Sequence, residues 1–473
     1  MTDTQTLIRE FPKGLLKWFP FSKEEKIIYI GSASDAYYEA LVELGHDVIC
    51  VSLEESVQPE WNGKYRYFFD CLVSANPDRV LGIWKLLLIK NGRLLLGMNN
   101  RFGIRYFCGD RDPYTDRNFD GIENYRSYFV KKEDVLTGRE YNRAELEMLL
   151  DAAGWTNRKF YSVFPDLDAP SFIFAEEYIP NEELNTRCFP RYHYPDTVFL
   201  EEEFLYSDLI KNGMFHKMAN AFLIECYKDE ICECSDIEHV TMSLDRGQKD
   251  ALFTIIHNNG IVEKRAAYEE GMHRLDEMLK NSEDLKAHGV EVVQANIDGK
   301  SYKMPFVESE TALIYLQNLA HTDVNKFVRE MDGFRTIILK SSEHVIIKQW
   351  NKDVECLKKG YIDLVPINCF AVDGEYLFYD QEFCIENCPI DTIVMRLIDF
   401  VYGDIGIESI LPRQFFYTRY GIEENKIRDL RWVANNFLIK LRKETELATY
   451  YETYRRNPEV VNANRQRMNY SEE

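Results

Sequence analysis

Two rhythms of apolar residues run along this chain. KIIYIG, residues 26–31, is a short apolar run closed by glycine, and after it Ala36, Ala40, Leu41 and Leu44 recur at helical spacing as far as Gly45. HDVICVS follows as a second apolar run. Strand side chains alternate between two faces, whereas helical ones return to one face every 3.6 residues, so the pattern predicts strand, turn, helix, strand. That unit opens a doubly wound sheet. The alternation continues with YFFDCLVS (67–74) as a strand, 77–88 as a helix and GRLLLGMNN (92–100) as a strand. RAELEMLLDAA (143–153) is a helix closed by Gly154, and YSVF and SFIFAEE are further strands. Residues 1–178 therefore predict one α/β domain.

The pattern weakens over 179–237, which predicts a connector packed between domains. From 238 the texture is α+β. ALFTIIHNNGIVEKRA reads as two strands around Asn258-Asn259-Gly260, a strong hairpin signal. A charged helix over 267–285, the strand pair VEVVQANIDGKSYKMPFV and helices to about 334 follow. GYIDLVPINCFAVDGEYLFYDQEF, residues 360–383, contains two short apolar strands around Asp373-Gly374, interrupted by Asp363, Asn368 and Asp380. The second domain is expected to span 238–410. A helical extension, 411–473, includes Ile427, Leu430, Val433, Phe437 and Leu441 on one helix face.

Composition narrows the class. The chain has 473 residues, 45% of them hydrophobic and 14% aromatic, enough to pack two or three domains. Its formal charge of −22 argues against nucleic acid as a partner, because phosphate contacts need clustered Lys and Arg. No apolar run is long enough for a membrane span, and the polar start MTDTQTLIREFPKG lacks a signal-peptide pattern. A cytoplasmic protein with at most peripheral membrane association is expected. The close cysteine pairs, Cys232/Cys234 and Cys384/Cys388, lack the matching second pair of a zinc site.

The interrupted hairpin carries candidate chemistry. Phosphoryl transfer needs a base near the acceptor hydroxyl, oxygen ligands for Mg²⁺ and a cation on the phosphates. Asp363 and Asn368, five residues apart, offer a base and a ligand from one loop, and Asp380 offers a second ligand after the hairpin. YIDLVPIN resembles the catalytic loop of protein kinases, and more closely that of aminoglycoside-phosphotransferase-like kinases. YDQEF stands where those families carry the metal-binding Asp. The departures are Tyr361 for His and Gln-Glu for Phe-Gly. The resemblance implies ATP with Mg²⁺, Asp363 as catalytic base, and Asn368 and Asp380 on the metal. It also implies Lys264, in GIVEKRAA, on the phosphates, with either Glu270 or Glu277 of the following helix as its partner. SLDRGQKD would cover the phosphates, and the backbone near Phe306 to Glu308 would bind adenine.

The first domain resembles class I S-adenosylmethionine-dependent methyltransferases, with a Rossmann-like fold and the cofactor over a glycine turn, here Gly31-Ser-Ala-Ser-Asp35. Gly31 and Asp35 would then line the cofactor, and Arg101 and Tyr106 would face the acceptor. Only the first glycine of the usual turn is present. The acids nearest the end of the second strand are Glu54 and Glu55. The stretch from Val51 to Tyr67 is short for the helix, strand and helix that the fold usually places there. Weak or absent S-adenosylmethionine binding is expected.

NNRFGIRYFCGDRDPYTDRNFDGIENY, REYNRAELEMLLDAAGW and FPDLDAPSFIFAEE also resemble bacterial methyltransferase domains that occur joined to kinase-like domains in surface-polysaccharide (O-antigen) assembly. That resemblance covers most of residues 15–410. It implies a transferase that phosphorylates a glycan or lipid-linked glycan, with methylation as a second activity, beside polysaccharide-synthesis glycosyltransferases. The alternative is a non-catalytic scaffold that keeps both folds.

Overall fold

The computed structural model describes residues 3–21, 26–62, 65–70, 77–127, 136, 138–180, 184–185, 187–229, 235–372 and 374–469. The Cys232/Cys234 pair and Asp373 lie outside them. The chain forms two compact units. One comprises residues 1–245, 253–258 and 446–473; the other comprises 246–252 and 259–445.

The first unit is built on β1 (Lys26–Ile30), α1 (Ala36–Glu43), β2 (Asp47–Val51), β3 (Tyr65–Asp70), α2 (Pro77–Leu87) and β4 (Arg93–Asn99). β1 pairs in parallel with both β2 and β3, and β3 in parallel with β4, giving the order β2-β1-β3-β4. The order reverses between β1 and β3, and ligands of open α/β sheets bind at the carboxyl ends of strands beside such a switch point. β2 is the edge of the sheet. A four-residue helix, Leu53–Ser56, and a 3₁₀ turn, Pro59–Trp61, occupy the stretch after it, with no strand among the described residues there. The short span expected from the sequence is thus matched by a sheet that stops at β2.

Beyond β4 every neighbour is antiparallel: β7 (Ala221–Tyr227), β5 (Arg158–Phe164), β6 (Phe172–Ala175), β8 (Ile237–Met242) and β9 (Leu252–His257). α3 (Arg143–Ala152) starts at Asn142 with a capping box closed by Glu145. The expected connector over 179–237 is corrected here. AFLIECY is buried at all seven positions and fills the sheet between β4 and β5. Continuous burial, rather than alternation, marks a strand covered on both faces, which is why its pattern looked irregular. The final helix, Pro458–Asn469, also belongs to this unit, with Val461 in the same core as Trp84 and Trp155.

In the second unit β10 (Ile261–Ala266) pairs antiparallel with β12 (Ser301–Pro305), and β12 with β11 (Asn296–Asp298). α4 (Met272–Ala287) packs on them through Leu275 and Met278. The larger core gathers α5 (Ala312–Thr322), α6 (Val324–Lys340), α7 (Ile390–Val401) and α8 (Ile427–Leu441). Around it lie a three-stranded sheet, β13 (His344–Gln349), β14 (Lys352–Tyr361) and β17 (Cys384–Pro389), and a hairpin, β15 (Cys369–Val372) with β16 (Glu375–Phe378). The single extension expected over 411–473 is divided: α8 packs on α7, while residues 446–473 join the first unit. The described cysteines are free thiols.

Candidate functional site

In the second unit four segments distant in sequence meet at Asp380-Gln381-Glu382-Phe383. β14 ends at Tyr361, and the chain turns through Asp363 into the 3₁₀ turn Pro366–Asn368. The hairpin then runs with Cys369 opposite Phe378, so its far end returns beside its start. Tyr379 N–H donates to the Asn368 carbonyl at 3.0 Å, which fixes that return. Gln381 Nε2 donates to the Asp363 carbonyl at 2.9 Å, and Asp363 Oδ2 accepts from Phe383 N–H at 3.0 Å. Asp380 itself has a left-handed backbone, φ 59°. Such a conformation is uncommon outside glycine, and aspartate is among the residues that tolerate it.

Lys264, on β10, is buried; its ammonium pairs with Asp380 Oδ1 and, at 2.6 Å, with Glu382 Oε1. Arg246, from the segment expected to cover the phosphates, binds the other oxygen of Glu382. Two cations and two carboxylates thus form one chain. Burial works against ionising Glu382, but Arg246 and Lys264 outweigh it and hold its carboxyl far below the usual range. Asp363 has no such partner: burial, with the Glu382 and Asp380 carboxylates nearby, pushes it up to about 7 despite Arg396 and Arg246.

Asp363, Asn368, Asp380 and Lys264 are therefore brought together, but neither glutamate proposed for Lys264 reaches it. Glu270 lies exposed in a 3₁₀ turn before α4, and Glu277 pairs with Arg274. The α4 face turned to the strands is apolar, Leu275 and Met278 against Tyr302, and Tyr302 stands opposite Lys264 in the β10–β12 register. Glu382 is the partner that sequence reasoning missed. Its signal was the Glu standing where the kinase families place glycine. At the expected adenine segment the Phe306 N–H donates to the Gly260 carbonyl at 2.8 Å, and the Phe306 and Glu308 side chains are exposed.

The residues fit a hard cation in kind. Asp380 supplies a carboxylate, and Asn368 Nδ2 donates to the Asp363 carbonyl at 3.4 Å, which leaves its amide oxygen as the ligand atom. Among the described residues no group of three or more His, Cys, Asp or Glu side chains is placed to hold a metal, so Asn368 would have to share the task.

In the first unit Gly31 ends β1. A Cβ there would lie 2.7 Å from the Tyr29 ring and 2.8 Å from Asp35 Oδ2, so these side chains would have to shift to admit one. The Asp35 carboxylate accepts from Tyr29 Oη and Ser32 N–H, each at 2.8 Å. Glu55 is spent on a capping box with Ser52. Arg101 and Tyr106, expected to face an acceptor, are buried instead. Arg101 pairs with Glu145 at 2.7 Å and donates to the Gly121 and Ile122 carbonyls, and Tyr106 Oη donates to Glu140 at 2.8 Å. The neighbouring Arg105 is fully buried on Asp166, which Arg191 also binds. The segment that resembles the methyltransferase domains thus ties the first unit's loops together from within.

No protein-family profile matches this chain, and no curated protein matches it. Solved structures similar to it include S-adenosylmethionine-dependent methyltransferases. One from Thermotoga maritima is 14% identical, over 47% of this chain and 92% of its own, with a TM-score of 0.26. One from Archaeoglobus fulgidus is 12% identical, over 46% and 94%, with a TM-score of 0.28. A geranyl diphosphate C-methyltransferase from Streptomyces coelicolor is 10% identical, over 48% and 81%, with a TM-score of 0.22. At such scores neither the fold nor the chemistry of this chain rests on them; both rest on its strand order and side chains.

Proposed function

We propose that this protein is a two-part transferase whose second unit binds Mg²⁺-ATP and phosphorylates a hydroxyl of a bacterial cell-surface glycan or its lipid-linked precursor. The observation that carries this reading is the gathering of Lys264, Asp363, Asn368 and Asp380 around the segment 380–383. When bound, the metal would neutralise the phosphates; Asp380 and Asn368 would hold it. Lys264 and Arg246 would bind phosphate oxygens. Asp363, anchored by Phe383 N–H, would orient the acceptor hydroxyl and take its proton as the oxygen attacks the γ-phosphorus and the bond from that phosphorus to the bridging oxygen breaks, releasing ADP. The glycan acceptor follows from the sequence resemblance.

The first unit is of methyltransferase type, and in our reading it binds S-adenosylmethionine weakly or not at all. Three things support this: β2 is the sheet edge, Gly31 is walled by Tyr29 and Asp35, and Glu55 is engaged in a cap. They favour a scaffolding role for that unit. Calorimetric titration of the full chain tests both parts. Magnesium-dependent ATP binding, lost in Asp380→Asn, is expected; no binding at millimolar ATP would leave only the scaffold. Micromolar binding of S-adenosylmethionine would restore a working methyltransferase.

A further inference from the structure

Resting on the ATP-binding reading, we infer that Glu382 is a positioning residue that holds Lys264 and Arg246 from inside the metal-binding segment and so frees Asp380 for the metal. Lys264 touches two carboxylates two residues apart, Asp380 and Glu382, and both are nearer to it than any acid of α4. The helix cannot supply a partner, because its strand-facing side chains are Leu275 and Met278 and its Glu277 is committed to Arg274. Glu382 is itself fixed. It is buried, Arg246 binds its second oxygen, and Asn281 Nδ2 of α4 donates to its backbone carbonyl at 3.3 Å and to that of Gln381 at 3.1 Å. Phe383, next in the chain, carries Arg246 and Arg274 over its ring at 5.3 Å and 5.0 Å.

The arrangement has a consequence for metal binding. A cation that takes Asp380 Oδ1 displaces the Lys264 ammonium, which holds that oxygen. With Glu382 present the ammonium keeps a carboxylate partner 2.6 Å away, and the exchange leaves no buried charge unpaired. Without Glu382 the same exchange strands Lys264 and also removes a negative charge from the metal's surroundings. Both effects act in one direction, against Mg²⁺. In families that place the lysine's partner on a helix, helix movement governs that ion pair. Here the clamp and the metal ligand share one three-residue segment, so the pair forms wherever Asp380 is in place.

The test uses the full-length protein and titrates Mg²⁺ at fixed ATP, reading ATP binding by calorimetry. For Glu382→Gln the Mg²⁺ concentration at half-saturation should rise roughly tenfold or more, as expected for loss of one charge-assisted contact. ATP binding without metal should change less than threefold. Glu277→Gln and Glu270→Gln should match the wild type within twofold. A merely structural role for Glu382 would weaken binding equally with and without metal, and that result overturns the inference. So does a Glu382→Gln protein with wild-type magnesium dependence, or an equal shift in Glu277→Gln. If Glu382→Gln fails to fold, Glu382→Asp makes the same comparison, with a smaller shift in the same direction expected. Wild-type protein that binds no ATP fails the underlying reading instead, and that outcome is distinct because it needs no variant.

Discussion

Asp363 is a carboxylate whose setting opposes its charge. Its carboxyl is raised to about 7 by burial and by the Glu382 and Asp380 carboxylates. Between the unfolded value near 4 and about 7 the folded state holds the extra proton, so this group's contribution to stability falls as pH rises through that window and is constant above it. Asp363→Asn should therefore raise the melting temperature at pH 8, and the gain should vanish by pH 4. An unchanged melting temperature at pH 8 would show that the carboxylate is solvated. The same variant should keep ATP binding and lose turnover by roughly 10² to 10⁴, the usual contribution of general-base help. In the wild type, turnover should climb with pH through the region around 7. Gly31 makes a second case at this scale. Gly31→Ala presses a methyl group on the Tyr29 ring and the Asp35 carboxylate, so it should cost about 1–3 kcal/mol in denaturant titrations made without any cofactor. A neutral result would return this glycine to the role of making room for a ligand.

At the scale of elements, α8 is the support behind the candidate site. Ala434 and Leu441 of that helix pack with Ile362 and Phe383, the residues beside Asp363 and Glu382. Ala434 is 2% exposed, so Ala434→Leu must push into that contact. A cost of about 1–3 kcal/mol is expected from overpacking. Nucleotide-dependent chemistry should suffer as well, because a 1 Å misplacement can cost about 10²-fold in rate. Urea denaturation followed beside a single-turnover assay would check both. A helix that merely frayed at the chain's end would tolerate the larger side chain.

At the scale of the whole molecule, the last residues belong to the first unit. Tyr192 N–H donates to the Tyr454 carbonyl at 2.8 Å, Arg456 pairs with Glu201 and Glu203, and Arg465 Nε donates to the Phe199 carbonyl at 2.7 Å. Phe11 packs edge-on against Tyr450. A chain ending at Thr445 should thus lose stability in its first unit while the second keeps its own. Hydrogen exchange should show protection falling around Tyr192 and Phe199 and persisting in α7. Loss of protection in α7 as well would place residues 446–473 in the other unit's core. No described helix is long and apolar enough to cross a membrane.

Elements with local periodicity were legible in the sequence: β1, α1, β2 and β4, the β15–β16 hairpin, and α8 along Ile427, Leu430, Val433, Phe437 and Leu441. Hydrophobic spacing within ten or fifteen residues decides such elements, and the chain carries it in plain view. The spacing of Asp363, Asn368 and Asp380 was legible too, because one hairpin of known length returns the chain to its start. The short span after Val51 likewise announced a sheet that ends at β2. Partners set by packing across long separations were not legible. Glu382 lies 118 residues from Lys264. No local pattern tells whether a helix glutamate or a loop glutamate will face a buried ammonium; the apolar face of α4 settles it against Glu277, and Glu270 lies exposed before that helix. Arg101 and Tyr106 turn inward for the same kind of reason, since Glu145 and Glu140 reach them only after folding. AFLIECY joins the first sheet only because β4 and β5 leave a place between them. The sequence by itself determined which segments are strands and helices and which residues could bear chemistry; the tertiary structure alone decided which buried charges meet, because a buried charge is stable only beside the partner that folding delivers to it.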